Sequence, residues 1–353
     1  AEVGRHAALR PLGFAARGGG GGFAGGAHGP SDGEREANLA LRPAAAGGVT
    51  CGFLQRSAFD DAAALLAQAD CDVVVLTSIF EAYDKLVQPK EDVQLSDAER
   101  RCFFALVDRP SYTLLLHENG VTPPAASGLP SSLRELPVVG VWRLLLLDGP
   151  LPFDSARRNS RVPKLLTHRL FPPPSRATKA LWLDSKLQLL RPPRDIARRF
   201  LGGGAVFGAY RNFKRDHIDE ERDWIWKHKC VEDVGKCAEL MRQWAAYEAA
   251  EASPRWTEET VAIEGCLLLF DLRSPLANAL QCNWFNEYVR YGERDQISLA
   301  YVLLRMGLAA GGANASAALR LIPRTMHYLT KPSARALQIV QKVGHRSGTR
   351  RIH

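Results

Sequence analysis

The chain has 353 residues, 46% of them hydrophobic and 24% charged. It is too apolar for a disordered chain and long enough to bury a sizeable core without disulfide staples. The net charge of +8 admits an anionic partner, but no nucleic-acid module or aromatic-interleaved basic face accompanies it, so nucleic acid is set aside.

Residues 1–48 are rich in Gly and Ala, with an unbroken Gly run at 18–22, and read as a disordered linker. A short helix is expected over 57–69. Strands follow at 72–79 (DVVVLTSI), 102–108 (CFFALVD) and 138–147 (VVGVWRLLLL), each a short, β-branched or apolar run. Residues 162–171 carry apolar positions at helical spacing and stop at three prolines. A fourth strand is expected at 180–184 (ALWLD), a helix at 195–201 and a fifth strand at 205–210 (AVFGAY). One long charged helix is expected over 216–251, a strand at 264–270 (EGCLLLF), and amphipathic helices at 276–291 and 296–306. Strands alternating with helices predict an α/β domain over 71–330, built on a mainly parallel sheet flanked by helices. A basic tail, 331–353, closes the chain.

The seven cysteines include no CxxC pair, which argues against a zinc site. Cys71, Cys102 and Cys266 lie in apolar runs and read as buried thiols. Cys230 and Cys237 fall two helical turns apart. No run of about 18 apolar residues is present, so nothing in this sequence is expected to span a membrane. The chain starts at Ala1 rather than Met, and an upstream signal or anchor is expected to be missing from it.

In sheets of this kind chemistry gathers at the carboxyl ends of the strands. Asp108 and Asp148 sit at such ends and read as turn or cap residues. The segment 181–188 (LWLDSKLQ) is sharper. Continued strand alternation would place Asp184 and Lys186 on one side. There Asp184 could hold a divalent cation and Lys186 a phosphate, or the two could form a plain ion pair. Trp224, Trp226 and Trp244 read as core or interface residues, with an acceptor groove as the alternative. Asn314 begins a glycosylation sequon.

Seven stretches, taken together and in order, resemble one plant family: LTSIFEAYDKLVQPK (76–90), CFFALVD (102–108), ARRNSRVPKLLTHRLFP (156–172), LWLDSKLQL (181–189), the basic stretch 210–221, EGCLLLF (264–270) and CNWFNEYVRYGERDQISL (282–299). This is the family of turgor-regulation-defect and mucilage-related proteins, described as hexosyltransferases with a glycosyltransferase-like domain. The resemblance implies a GT-A-like (Rossmann-like) fold. It also implies transfer of a hexose from a nucleotide-sugar to a glycan acceptor in the Golgi lumen, during cell-wall or mucilage polysaccharide synthesis. Membrane attachment would come only through an anchor missing from this chain.

By position, the resemblance implies that Thr77, Ser78, Phe80, Tyr83 and Asp84 line the donor nucleoside. Arg157, Arg158, Asn159 and Lys164 would face the diphosphate. Asp184 takes the place of the metal-binding acid, with Mn²⁺ or Mg²⁺ as the implied ion, but Lys186 stands where a second acid is usual. Asp295 is the expected general base, with helix capping as its plain alternative, and Glu287 is a second carboxylate candidate. His327, in HYLTKP, is a further possible metal ligand. A relative's ceramidase activity offers a second functional reading, and an inactive carbohydrate-binding protein a third.

Overall fold

The computed structural model describes residues 51–53, 56–122, 130–230, 234–250, 260–291, 294–308, 317–329 and 338–343. The linker 1–48, the sequon at Asn314 and most of the basic tail lie outside the described residues.

The first helix, α1 (Ala58–Leu66), starts at Ser57, whose side chain and that of Asp60 form a capping box. Strand β1 (Val73–Ile79) then enters the sheet. A one-turn helix, α2 (Asp97–Arg100), leads to β2 (Phe103–Val107). Helix α3 (Arg109–Glu118) opens at Asp108, whose carboxylate accepts the Ser111 amide at 3.0 Å. The cap reading of Asp108 is correct.

The run 138–147 is not one strand. Val138–Val139 (β3) and Trp142–Leu146 (β4) pair antiparallel. Gly140 turns the chain between them at φ +62°, a conformation side chains resist.

The helix expected over 162–171 begins earlier. Helix α4 (Ala156–Leu165) is capped by the Ser155 hydroxyl, and α5 (Thr167–Leu170) follows a break at Leu166. Strands β5 (Lys179–Leu183) and β6 (Leu187–Leu189), helix α6 (Pro193–Phe200) and strand β7 (Phe207–Arg211) come next.

The long charged helix is two helices, α7 (Ile218–Lys229) and α8 (Val234–Ala250). Seven residues of continuous helix would rise about 10 Å. Cys230 and Cys237 instead form a disulfide with their Cα atoms 5.4 Å apart. Strand β8 (Ile263–Asp271), helices α9 (Pro275–Tyr291) and α10 (Asp295–Arg305), and strands β9 (Leu319–Ile322) and β10 (Val340–Lys342) complete the described elements. Strand β10 comes from the segment read as a tail, and pairs antiparallel with β6.

The main sheet has the order β3-β4-β2-β1-β5-β8-β7-β9. Pairings β2/β4, β1/β2, β1/β5 and β7/β9 are parallel; β3/β4, β5/β8 and β7/β8 are antiparallel. It is the mainly parallel, helix-flanked α/β sheet expected.

Strand alternation sends Val74, Leu76, Phe104 and Trp182 to one face. There they pack with Trp284, Phe285 and Tyr288 of α9 and Val302 of α10. Val75, Phe103, Ala105 and Leu181 go to the other face, against Tyr112 and Leu115 of α3 and Phe200 of α6. A satellite cluster joins α7, α8 and α10 through Ile218, Trp244, Tyr247 and Tyr301.

Because β8 runs against both neighbours, its first residues lie beside the carboxyl ends of β5 and β7. The ends of β1, β2, β5 and β7 and the start of β8 therefore share one edge of the sheet. Two more disulfides brace the fold. Cys71–Cys102 ties the entry of β1 to that of β2, and Cys51–Cys282 ties the first described residues to α9. Cys71 and Cys102 are thus bonded rather than free thiols; their adjacency depends on β1/β2 pairing, which no spacing reveals. Cys266 is a buried free thiol, as expected.

Candidate functional site

At the end of β1 the chain makes an uncommon turn. Glu81 and Ala82 both adopt left-handed backbone, at φ 54° and 51°. Two residues of the neighbouring α3 hold it: Asp108 Oδ2 accepts from the Glu81 amide at 2.7 Å, and Ser111 Oγ from the Ala82 amide at 2.9 Å. Thr77 is buried, and its hydroxyl has no hydrogen-bond partner among the described residues. Asp84 accepts from the Ser185 hydroxyl at 2.9 Å, which joins the β1 loop to the turn after β5. Tyr83 is half-buried beside it.

That turn changes the reading of LWLDSKLQ. The strand stops at Leu183, and the Leu187 amide bonds the Asp184 carbonyl at 2.8 Å. Alternation does not persist, yet the turn still brings Asp184 and Lys186 together: Lys186 Nζ lies 3.1 Å from Asp184 Oδ2. Trp182 Nε1 donates to Oδ1 at 3.2 Å. Asp184 raises the Lys186 pKa against the opposing effect of burial, up to about 12, so this ammonium stays charged.

Glu264, at the start of β8, lies within electrostatic reach of Asp184, Lys186, Arg215 and Glu221. Burial, helped by Glu221, raises its pKa against the pull of Arg215. Arg215 pairs with the buried Glu221 and places its guanidinium 4.9 Å from the Trp224 ring. Trp226 is exposed and Trp244 buried.

A second group of charges lies deeper. Asp295 Oδ2 meets Lys164 Nζ at 2.5 Å and Oδ1 meets Arg161 at 3.1 Å. Lys164 has room because β8 carries Gly265 there; a Cβ would fall 2.4 Å from Nζ. Burial alone would raise the Asp295 pKa. Arg161 and Lys164, with Arg157 behind them, outweigh it and hold the carboxyl well below the usual carboxylate range. Asp295 is the first residue of α10, and the N-cap residue Arg294 makes no side-chain cap bond. Its side chain is the counter-ion of Lys164 and Arg161.

Of the other candidates, Arg158, Asn159 and Glu287 pack into the interior, whereas His327 lies beside the end of β7, 5.0 Å from the Tyr210 ring. Arg158 is buried between the rings of Phe153, at 4.2 Å, and Tyr288, at 5.7 Å. Asn159 clamps the Phe153 backbone through both its amide atoms. Glu287 is buried, accepts from the Tyr247 hydroxyl at 2.9 Å, and stands 3.6 Å from Arg290, the helix partner expected at spacing three. His327 is stacked on Phe213 and Tyr328, and its Nδ1 accepts the Leu329 amide at 3.1 Å. Burial and Arg324 lower its pKa to about 4.

The implied divalent cation does not fit this donor set. Asp184 has a lysine on one oxygen and an indole on the other. Among the described residues, the sole group of three His, Cys, Asp or Glu ligand atoms lying close together is Cys51, His168 and Cys282. That group lies away from the edge and contains a disulfide.

Residues 23–320 match the model of the TOD1/MUCI70 glycosyltransferase-like domain. The chain belongs to this family. It is 32% identical over 269 residues to the probable hexosyltransferase MUCI70 of Arabidopsis thaliana, covering 72% of this chain and 42% of that one. It is 25% identical over 239 residues to the alkaline ceramidase TOD1 of the same plant, covering 66% and 48%. The chain thus spans under half the length of either relative. Solved structures with a distant likeness include the apo form of mouse xyloside xylosyltransferase 1 (TM-score 0.37, 12% identity, 75% of this chain and 90% of that one). Another is the apo WbbM bifunctional glycosyltransferase (TM-score 0.41, 12% identity, 79% and 46%).

Within this TOD1/MUCI70 domain, Glu264, Arg161 and the pair of Arg215 and Glu221 were not singled out by the sequence. Glu264 opens a strand and reads as its first residue. Only the antiparallel course of β8 puts it beside the carboxyl ends of β5 and β7.

Proposed function

We propose that this chain transfers a sugar from a nucleotide-sugar donor to a glycan acceptor. The observation that carries the reading is the meeting of the β1 loop, the Asp184 turn and Glu264 at one sheet edge, in a chain of the TOD1/MUCI70 family. Thr77, Tyr83 and Asp84 would receive the nucleoside and Lys186 the diphosphate. Glu264 is the carboxylate placed to take the acceptor's hydroxyl proton, because burial keeps it a stronger base than an exposed glutamate. Asp295 and Lys164 would hold α10 and α4 in place behind the site.

The three disulfides fit an oxidising compartment and support a Golgi-lumen setting. A role in cell-wall or mucilage polysaccharide follows from the resemblance to the plant family. The ceramidase reading has less support, since metal-assisted amide hydrolysis needs a cluster of ligands at the cleft and the described edge residues form none.

The test is transfer or hydrolysis assayed across UDP- and GDP-sugars. Glu264→Gln should slow turnover by roughly a hundredfold or more, with the fold checked by its melting curve. Unchanged turnover in both Glu264→Gln and Asp184→Ala would remove the assignment of this edge as the active site.

A further inference from the structure

We propose that a nucleoside diphosphate bound at this edge is neutralised by the chain's own cations, Lys186 foremost, in the place of a divalent metal. The proposal rests on the donor-site reading above and specifies how that site handles charge.

Three observations carry it. The acid of the strand-end turn is followed two residues later by a lysine, and the turn folds that lysine back onto the acid at 3.1 Å. A cation coordinated by Asp184 would have to displace this ammonium or sit against it. The second carboxylate oxygen is occupied too, by the Trp182 indole. Finally, Glu264, the nearby acid that could complete a metal site, also lies within reach of Lys186 and Arg215. Both oxygens of Asp184 therefore already answer to a fixed positive charge or a donor.

Those same groups are suited to an anion. Lys186 is only partly covered, with 23% of its side chain exposed, so phosphate oxygens can reach Nζ while Asp184 orients it. A lysine presents a compact charge with three donors, suited to phosphate oxygens. Near Asp295, burial lowers the Arg294 pKa, and the neighbouring charges of Arg157 and Arg161 lower it further. A multiply charged phosphate nearby would offset those charges. The cationic role a metal plays in stabilising a departing diphosphate is thus available from side chains alone.

The test is calorimetric titration of the purified chain with UDP and with GDP, each in EDTA and in Mn²⁺. At least one nucleotide should bind with the same affinity in both buffers. Lys186→Ala should weaken it by about tenfold or more, the loss of one charge-assisted contact, and Lys186→Arg should recover much of that loss. Lys186→Asp, which sets two acids at the usual spacing, should bind only with Mn²⁺. Melting curves establish that each variant is folded.

Binding by the unaltered chain that EDTA abolishes would overturn the proposal and leave the transferase reading standing. Unchanged affinity in Lys186→Ala would overturn it as well. Failure of both nucleotides to bind in either buffer, with no transfer from any UDP- or GDP-sugar, would remove the donor-site reading together with it.

Discussion

The pair of Asp184 and Lys186 and the pair of Asp295 and Lys164 look alike on paper: one aspartate, one lysine, both in stretches shared with the plant family. They differ in where they sit. The first lies in a turn at the sheet edge, with 28% and 23% of its side chains exposed; the second has 8% and 6% exposed, wedged between α4, α10 and β8. A partly wetted pair can exchange its partner for a ligand. A buried one cannot let go without leaving a bare charge in the core. Identical chemistry therefore leaves one pair open to solvent at the sheet edge and closes the other within the core.

Four substitutions test that contrast, from the largest expected effect on stability to the smallest. Lys164→Met should destabilise the fold by about 3–5 kcal/mol, since it strands much of the Asp295 charge, and chemical denaturation would read it. Full stability with lost turnover would instead make Lys164 part of the chemistry. Gly265→Ala should cost about 1–3 kcal/mol by overpacking, because the new Cβ meets a lysine tip that its ion pair holds in place. Lys186→Ala should change stability by no more than about 1 kcal/mol while weakening nucleotide binding; a large fall in melting temperature would erase the contrast.

The fourth concerns pH. Burial raises the Glu287 pKa above its ordinary 4.5, against Tyr247 and Arg290. The folded state therefore holds that proton more tightly than the unfolded chain does. Its contribution is fully present at low pH and is lost as pH rises from about 4.5 through the raised folded value. Glu287→Gln should flatten this decline, seen as a smaller fall in unfolding free energy between mildly acidic and neutral buffer. Asp295 acts in the opposite sense. Its lowered pKa stabilises the fold above the ordinary 3.8, and that support is lost on acidification.

Much of the fold was legible. Short apolar runs mark β1, β2 and β5 to within a residue or two, because such strands are buried on both faces. Strand direction was not legible. The sequence of β8 is an apolar run like the others, and its antiparallel course depends on how distant strands pair. For that reason nothing in the sequence alone places Glu264 beside the carboxyl ends of β5 and β7. Local breaks were missed for a related reason: Gly140 and the interruption after Lys229 matter through one turn's geometry, which a hydrophobic period averages away. At the site, the resemblance located Asp184, Lys164 and Asp295, and could not say which were wetted. Exposure is a property of the packed neighbours, and both Asp295 and Arg158 are buried by theirs.

The left-handed turn at Glu81 and Ala82 has a consequence for modularity. Its shape is dictated by Asp108 and Ser111, which belong to the next strand-helix unit. A graft carrying only the 76–90 segment into another scaffold would bring the letters of the β1 loop without its conformation. Asp108→Asn illustrates how narrow the dependence is: the amide oxygen can still cap α3, but its NH₂ would then face the Glu81 N–H. A loop that reads as a self-contained motif is, in this sense, written jointly by two parts of the chain.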